Sequence, residues 1–230
     1  MMEPVNPVNM GTTFALAQMD ALAAKLIERA RPIRFAVAHS PEELEGIHRL
    51  RCRIVLKREW ATQEDLPDGL ERDEYDARAV HIAAWDGDVL AGTSRLILPL
   101  PGRPLPTEAL TGLEMAPRGR VADVGRVCVA TAYSHASHRV SWGLLGRTWL
   151  EMRGRGLTDA CCMVTPGVAR MYQSWGLRVI KLGASRLYSG EERYPALIRP
   201  AESVHSLIRT ASRGTGHLLP ARAAPTLHPS

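Results

Sequence analysis

Val121-Ala122-Asp123-Val124-Gly125-Arg126-Val127-Cys128-Val129-Ala130 has the apolar, β-branched density of a buried strand, yet it carries a carboxylate, a glycine and a guanidinium. Packing alone requires none of the three. On a regular strand Asp123 and Arg126 point to opposite faces, and Gly125 between them is where a bulge can re-aim one of the two. Two readings stay open at this point. The strand is the floor of a polar site, or it carries an Asp-Arg ion pair at its end that only answers the cost of burying charge.

Working outward, Ala79 to Trp85 and Val89 to Leu98 read as strands joined at Asp86-Gly87-Asp88, and Asp159 to Thr165 as a further apolar strand. Leu177 to Leu182 and Ala196 to Arg199 supply two more, and Ile33 to Ala38 a short first one. Ser40-Pro41-Glu42-Glu43 joins an N-cap, a proline at the first helical position and acids in the first turn, so a helix starts there and runs toward Trp60. Further helices are expected at Val140 to Arg153 and Pro166 to Trp175. Ahead of these, Thr12 or Thr13 caps a helix with apolar residues at helical spacing, ended by Arg31-Pro32. Pro99 to Gly119, rich in Pro, Gly and Thr, reads as a mobile flap, and 201–230, rich in Ala, Pro, Arg and Ser, as a flexible tail. The expected organisation is therefore an N-terminal extension with an amphipathic helix (1–32), one domain (33–200) and that tail.

With 45% hydrophobic and 23% charged residues, the 230-residue chain can bury one substantial core. Its formal charge of +5 comes without a basic run or aromatics interleaved with basic residues, which argues against nucleic acid and for an acidic partner. Cys52, Cys128, Cys161 and Cys162 form no C-x-x-C and have no histidine at ligand spacing, so no metal and a reducing cytoplasm are expected. Neither a signal peptide nor a span of about 18 apolar residues is visible.

Gly69-x-Glu71-x-Asp73-x-Tyr75-Asp76 follows a helix with Leu50-Arg51-x-Arg53, and Trp60 lies between them; the hairpin after it ends Gly92-Thr93-Ser94-Arg95-Leu96. This arrangement resembles the acyl-homoserine-lactone (autoinducer) synthases and the long-chain N-acyl amino acid synthases, two branches of the GNAT acyltransferase superfamily. Both branches have a later strand E-x-S-R-x-x-V, where this chain has Asp123-Val124-Gly125-Arg126-Val127-Cys128-Val129. Pro166-Gly-Val-Ala-Arg-Met-Tyr-Gln-Ser-Trp-Gly-Leu177 is similar to the helix after the fifth GNAT strand. The likeness covers about residues 33–200.

That resemblance implies an α/β (α+β) fold with a mixed, mostly antiparallel sheet, helices on its flanks, and fourth and fifth strands that splay apart to admit a thioester arm. It implies acyl transfer from a thioester to an amine, with the amides of Val127, Cys128 and Val129 holding the thioester and Asp123 accepting the amine's proton directly or through water. Asp123 is one methylene shorter than the family's Glu, and Gly125 replaces its Ser. Arg51, Trp60, Asp73, Asp76, Arg95 and Arg126 match the residues that shape the acceptor site, although Ile54 stands where an aromatic is common. By themselves, Asp73 and Asp76 also fit a turn or helix cap, and Cys128 a small buried hydrophobe.

Tyr172 falls where many GNAT enzymes protonate the leaving thiolate, and equally where a tyrosine could pack in the core. Thr131 to Arg139 lacks the glycine-rich loop that cradles the pyrophosphate of CoA. No permanently bound cofactor is expected, and the donor is expected to be an acyl-phosphopantetheine thioester on an acyl carrier protein rather than acyl-CoA. The expected acceptor is a small amine or amino acid. An autoinducer synthase acting on S-adenosylmethionine is the alternative, and a catalytically idle GNAT-fold binding domain is the third reading.

Overall fold

A computed structural model describes residues 7–134 and 138–213. Its elements are α1 (Pro7–Arg29), β1 (Arg34–Val37), α2 (Pro41–Lys57), β2 (Ala79–Asp86), β3 (Val89–Ile97), α3 (Pro106–Thr111), β4 (Val121–Val129), α4 (Arg139–Gly154), β5 (Asp159–Val164), α5 (Pro166–Ser174), β6 (Val179–Lys181), β7 (Arg186–Tyr188), β8 (Glu191–Ile198) and α6 (Pro200–Arg213). The sheet runs β1-β2-β3-β4-β5-β8-β6, with β7 paired to β8 alone. Every described pairing is antiparallel except β4 with β5.

That parallel pair is short. Val121, Ala122 and Asp123 pair with Asp159, Ala160 and Cys161, after which the two strands part. β4 continues to Val129 beside β3 alone, so a gap opens between Val124 to Val129 and the end of β5. This is the splay expected from the resemblance.

Residues alternate across the sheet as the pleat requires. Ile82 and Ala84 pack with Val140 and Leu144 of α4, while Ala83 between them packs with Ile47 of α2. Likewise Cys162 joins the core under α1, α4 and α6, and Cys161 faces α3. α2 begins as its sequence dictates, with Ser40 accepting from the Glu43 amide at 3.1 Å and Glu43 reaching back to cap.

Three expectations about the periphery change. α1 starts at Pro7, earlier than the Thr12 or Thr13 cap, and Met19, Leu22, Ala23 and Leu26 are buried in the main core. Asp20 ties it to α4, accepting from Trp149 Nε1 at 2.7 Å and Arg153 Nε at 3.1 Å. Gly146 permits the close approach: a Cβ there would lie 2.9 Å from the Ala23 carbonyl oxygen.

The flap at 99–119 contains α3, which is pinned down. Leu105 and Met115 are buried against Ile97, Val121 and Cys161. The Glu108 carboxylate accepts from the amides of Leu105 and Met115 at 2.8 and 2.7 Å. The tail likewise does not begin at 201, because α6 buries Val204 and Leu207 and packs Ile208 and Ala211 on the same core. These four recur at helical spacing, a signal that the Ala, Arg and Ser around them obscure. Residues 1–6, 135–137 in the loop before α4, and 214–230 lie outside the described residues.

Candidate active site

β4 carries a bulge. Arg95 of β3 pairs with Gly125 and Thr93 with Cys128, so Ser94 alone opposes both Arg126 and Val127. Arg126, at φ 52°, takes the left-handed conformation, and Gly125 does not. The extra residue turns the Arg126 side chain toward the face of Arg95 and α2, where a regular strand would have sent it to α4. It also interrupts the regular ladder with β3 at Arg126 and Val127, at the edge of the gap.

On that face three arginines meet three carboxylates. Arg51, whose side chain is 1% exposed, donates from Nη1 and Nη2 to Asp76 at 2.7 and 3.1 Å and from Nε to Glu71. Arg95 Nη1 donates to Asp73 at 2.6 Å and lies 3.1 Å from Asp76. Arg126 donates from Nε to Glu71 at 2.8 Å, from Nη2 to Asp73 at 3.2 Å and from Nη1 to the Tyr188 hydroxyl at 3.4 Å. Burial works against the Asp76 carboxylate, but the Arg51 bonds and the Arg95 charge outweigh it and hold the group well below the usual carboxylate range. Arg126 is likewise buried, and Glu71 keeps it charged. Such fork-to-carboxylate pairs are rigid as well as strong, so the network fixes one wall of the site.

The structure thus brings together Arg51, Asp73, Asp76, Arg95 and Arg126. Asp123 is not among them, and no Asp123-Arg126 ion pair forms. Its carboxylate accepts from the Thr107 amide at 2.8 Å, with the Cys161 thiol 3.6 Å away, at the N-terminal end of α3. It is 5% exposed, and burial raises its pKa against the pull of Thr107 and Arg95. The expectation that Asp123 faces the acceptor as a base is corrected by this geometry: it anchors α3, and the network carboxylate that lines the gap is Glu71.

The gap is a cavity of about 690 Å³, within the range of small-molecule sites. Its walls include Val124 to Val129 of β4, Cys162 to Val164 of β5, Tyr172 of α5, and Trp60 and Arg193 beside Glu71 and Arg126 of the charged network. Cys128 lines it, but burial pushes its thiol up to about 11, which keeps it protonated and a poor nucleophile. Tyr172 is 8% exposed, its hydroxyl bonds to no side chain or backbone group among the described residues, and burial raises its pKa. The phenol therefore stays a proton donor. A smaller apolar crevice of about 80 Å³ shares Val124, Leu145, Cys162 and Tyr172 with the cavity and ends among Met19, Trp149 and Leu207.

Arg193 on β8 was not found from the sequence. The hairpin that presents it turns at Ser189 (φ 47°) and Gly190 (φ 70°), and a Cβ on Gly190 would lie 2.9 Å from Trp60 Cα. The Tyr-Ser-Gly turn between charged residues was the available signal. His48, Asp76 and His81 come within 4.8 Å of one another, but a cation there would face Arg51 and Arg95, which already occupy Asp76. Burial lowers both histidines' pKa, so they are neutral in this setting.

Residues 50–142 match the family profile described as an acetyltransferase (GNAT) domain. With the splayed strands and the β4 bulge, that settles the architecture. The chain has the GNAT fold. Among solved structures, it is similar to FeeM, an N-acyl amino acid synthase from uncultured soil microbes, with 17% identity, a TM-score of 0.60, and 78% of this chain and 97% of that one covered. It is also similar to BjaI, a CoA-dependent acyl-homoserine lactone synthase, with 21% identity, a TM-score of 0.61, and 81% and 89% covered. MesI, another CoA-dependent acyl-homoserine lactone synthase, gives 19% identity, a TM-score of 0.62, and 79% and 95% covered. At these identities the likeness establishes the GNAT fold. No curated protein sequence matches the chain. Among the described residues, no helix of this domain is long and apolar enough to cross a membrane.

Proposed function

We propose that this protein is an N-acyltransferase that moves a fatty acyl group from a phosphopantetheine thioester to the amine of a small amino acid-like acceptor. The observation that carries the reading is one cavity that borders both the charged network and the bulge of β4, and that shares Val124, Leu145, Cys162 and Tyr172 with an apolar crevice.

The thioester carbonyl accepts from the amides at the β4 bulge, near Val127, and is polarised there. The amine, held beside Glu71 and Trp60, attacks that carbon; the C–N bond forms, the C–S bond breaks, and the amine's proton passes to Glu71. Tyr172 protonates the departing thiolate. The acyl chain lies along Val124, Leu145 and Cys162 toward α1, with each buried methylene contributing about 0.8 kcal/mol.

The donor we favour is an acyl carrier protein. The loop before α4 lacks the glycines of a pyrophosphate cradle, and His138 at the α4 N-cap makes no side-chain cap. Lys57 and Arg58 are exposed beside that loop, with Lys57 Nζ 3.3 Å from Thr131 Oγ1, a surface suited to an acidic partner. Mass spectrometry of lipids from an expressing host tests the whole reading. N-acyl amino acids support it, acyl-homoserine lactones transfer the protein to the S-adenosylmethionine branch, and the absence of any new acyl product leaves a binding domain on an acyltransferase fold.

A further inference from the structure

Arg51, Arg95 and Arg126 are matched one for one by Glu71, Asp73 and Asp76, so the network is electrically closed without a ligand. Arg193 stands outside it. Glu191 Oε2 is 3.8 Å away, beyond hydrogen-bond reach, and the Nε and Nη2 of Arg193 are buried with no hydrogen-bond partner among the described residues. Its guanidinium lies 4.5 Å from the Trp60 ring centroid and 5.9 Å from that of Tyr188. The side chain is 14% exposed, and it lines the same cavity as Glu71, Arg126 and Trp60.

Holding a guanidinium out of water with unmade hydrogen bonds is costly, and the surrounding backbone is committed to doing so. The Ser189-Gly190 turn presses on Trp60, and Trp60 in turn supports the guanidinium plane. What satisfies a planar fork stacked on an aromatic ring is a planar anion with two acceptor oxygens.

We infer that Arg193 is the receptor for a free carboxylate on the acyl acceptor, gripped by the guanidinium fork against Trp60. The inference rests on the acyltransferase reading above and narrows it: the acceptor is an amino acid with its carboxylate unblocked, and amines lacking that group are poor substrates. Glu71, which lines the same cavity, is left for the amine.

The test uses product analogues and reads binding, so it needs no turnover. N-dodecanoylglycine and N-dodecanoylglycinamide differ only in the carboxylate and are titrated calorimetrically into the full-length protein. Wild type is expected to bind the acid about 10- to 100-fold more tightly than the amide, the range of a charge-assisted bond. Arg193→Gln should abolish that preference while leaving the amide's affinity unchanged, and Arg193→Lys, which keeps the charge but loses the fork, should retain part of it. Thermal melts identify any variant that has lost its fold, and the wild-type comparison stands without them. Equal affinity of the wild type for acid and amide overturns the inference and leaves the acyltransferase reading standing. Failure to bind either analogue overturns both. An Arg193→Gln protein that weakens acid and amide alike means that Arg193 only braces Trp60.

Discussion

Replacing Asp123 by Asn separates a structural carboxylate from a catalytic one. In the wild type the Thr107 amide donates to this carboxylate at 2.8 Å, and Thr107 itself is 1% exposed. Asn keeps a carbonyl acceptor in place, exchanging a bond to a charged group (about 1.5–3 kcal/mol) for a neutral one (about 0.5–1.5), a loss of about 1 kcal/mol. Against this, Asn removes the burial cost that raises the Asp123 pKa. The net change is expected within about 1 kcal/mol, or about 2–4 °C in Tm for a chain of this size. Asp123→Ala leaves the Thr107 N–H buried without an acceptor and should cost about 2–3 kcal/mol.

The pH dependence has a definite sign. Because its folded pKa is raised, Asp123 favours the fold in its protonated form; that contribution is full below the ordinary carboxylate range and is lost as pH rises through the raised value. Wild type should therefore gain on Asp123→Asn as pH falls. Turnover, followed by thiol release from the acyl donor, should stay within about tenfold of wild type for Asp123→Asn, since loss of a true general base costs about 10²- to 10⁴-fold. A fall in kcat of that size with intact Tm and unchanged KM would refute the anchoring role and return Asp123 to the chemistry.

Tyr172→Phe keeps the packing against Trp175 and removes the hydroxyl of a cavity-lining residue; single-turnover assays should show acyl transfer slowed by about 10²-fold with donor KM unchanged. If an acidic carrier protein docks beside Lys57, Arg58 and Arg139, kcat/KM should fall steeply between about 50 and 500 mM salt, as the Debye length shrinks from about 14 to 4 Å. Acyl-CoA should be a poor donor at every salt, and faster turnover with acyl-CoA together with a flat carrier profile would show the donor to be the coenzyme. Gly146→Val forces α1 away from α4, because a Cβ there already meets the Ala23 carbonyl at 2.9 Å; a loss of about 1–3 kcal/mol is expected in denaturant titration.

Much of the fold was legible because its signals are local. The capping box at Ser40, the proline opening α5 and the turn at Asp86-Gly87 each depend on residues within a few positions of one another. The apolar run of β4 with charges inside it pointed to the strand that borders the cavity, and of the six residues expected at the acceptor site from spacing and resemblance, all but Trp60 meet in one charged network. The position of the bulge was only nearly right, since glycine permits a positive φ without requiring it, and the ladder with β3 assigned it to Arg126.

The sequence by itself determined which charges enter the interior, since Arg51, Asp73, Asp76, Arg95 and Arg126 lie within or beside buried segments and must be paired to be tolerated there. Only the tertiary structure decided who pairs with whom. Arg126 meets Glu71 across 55 residues of chain, while Asp123, three residues away, turns to the Thr107 amide. Which face a strand residue shows, and whether a guanidinium such as Arg193 finds a carboxylate or is left facing a cavity, depend on strands brought together from distant parts of the chain. Local propensity carries no record of such contacts.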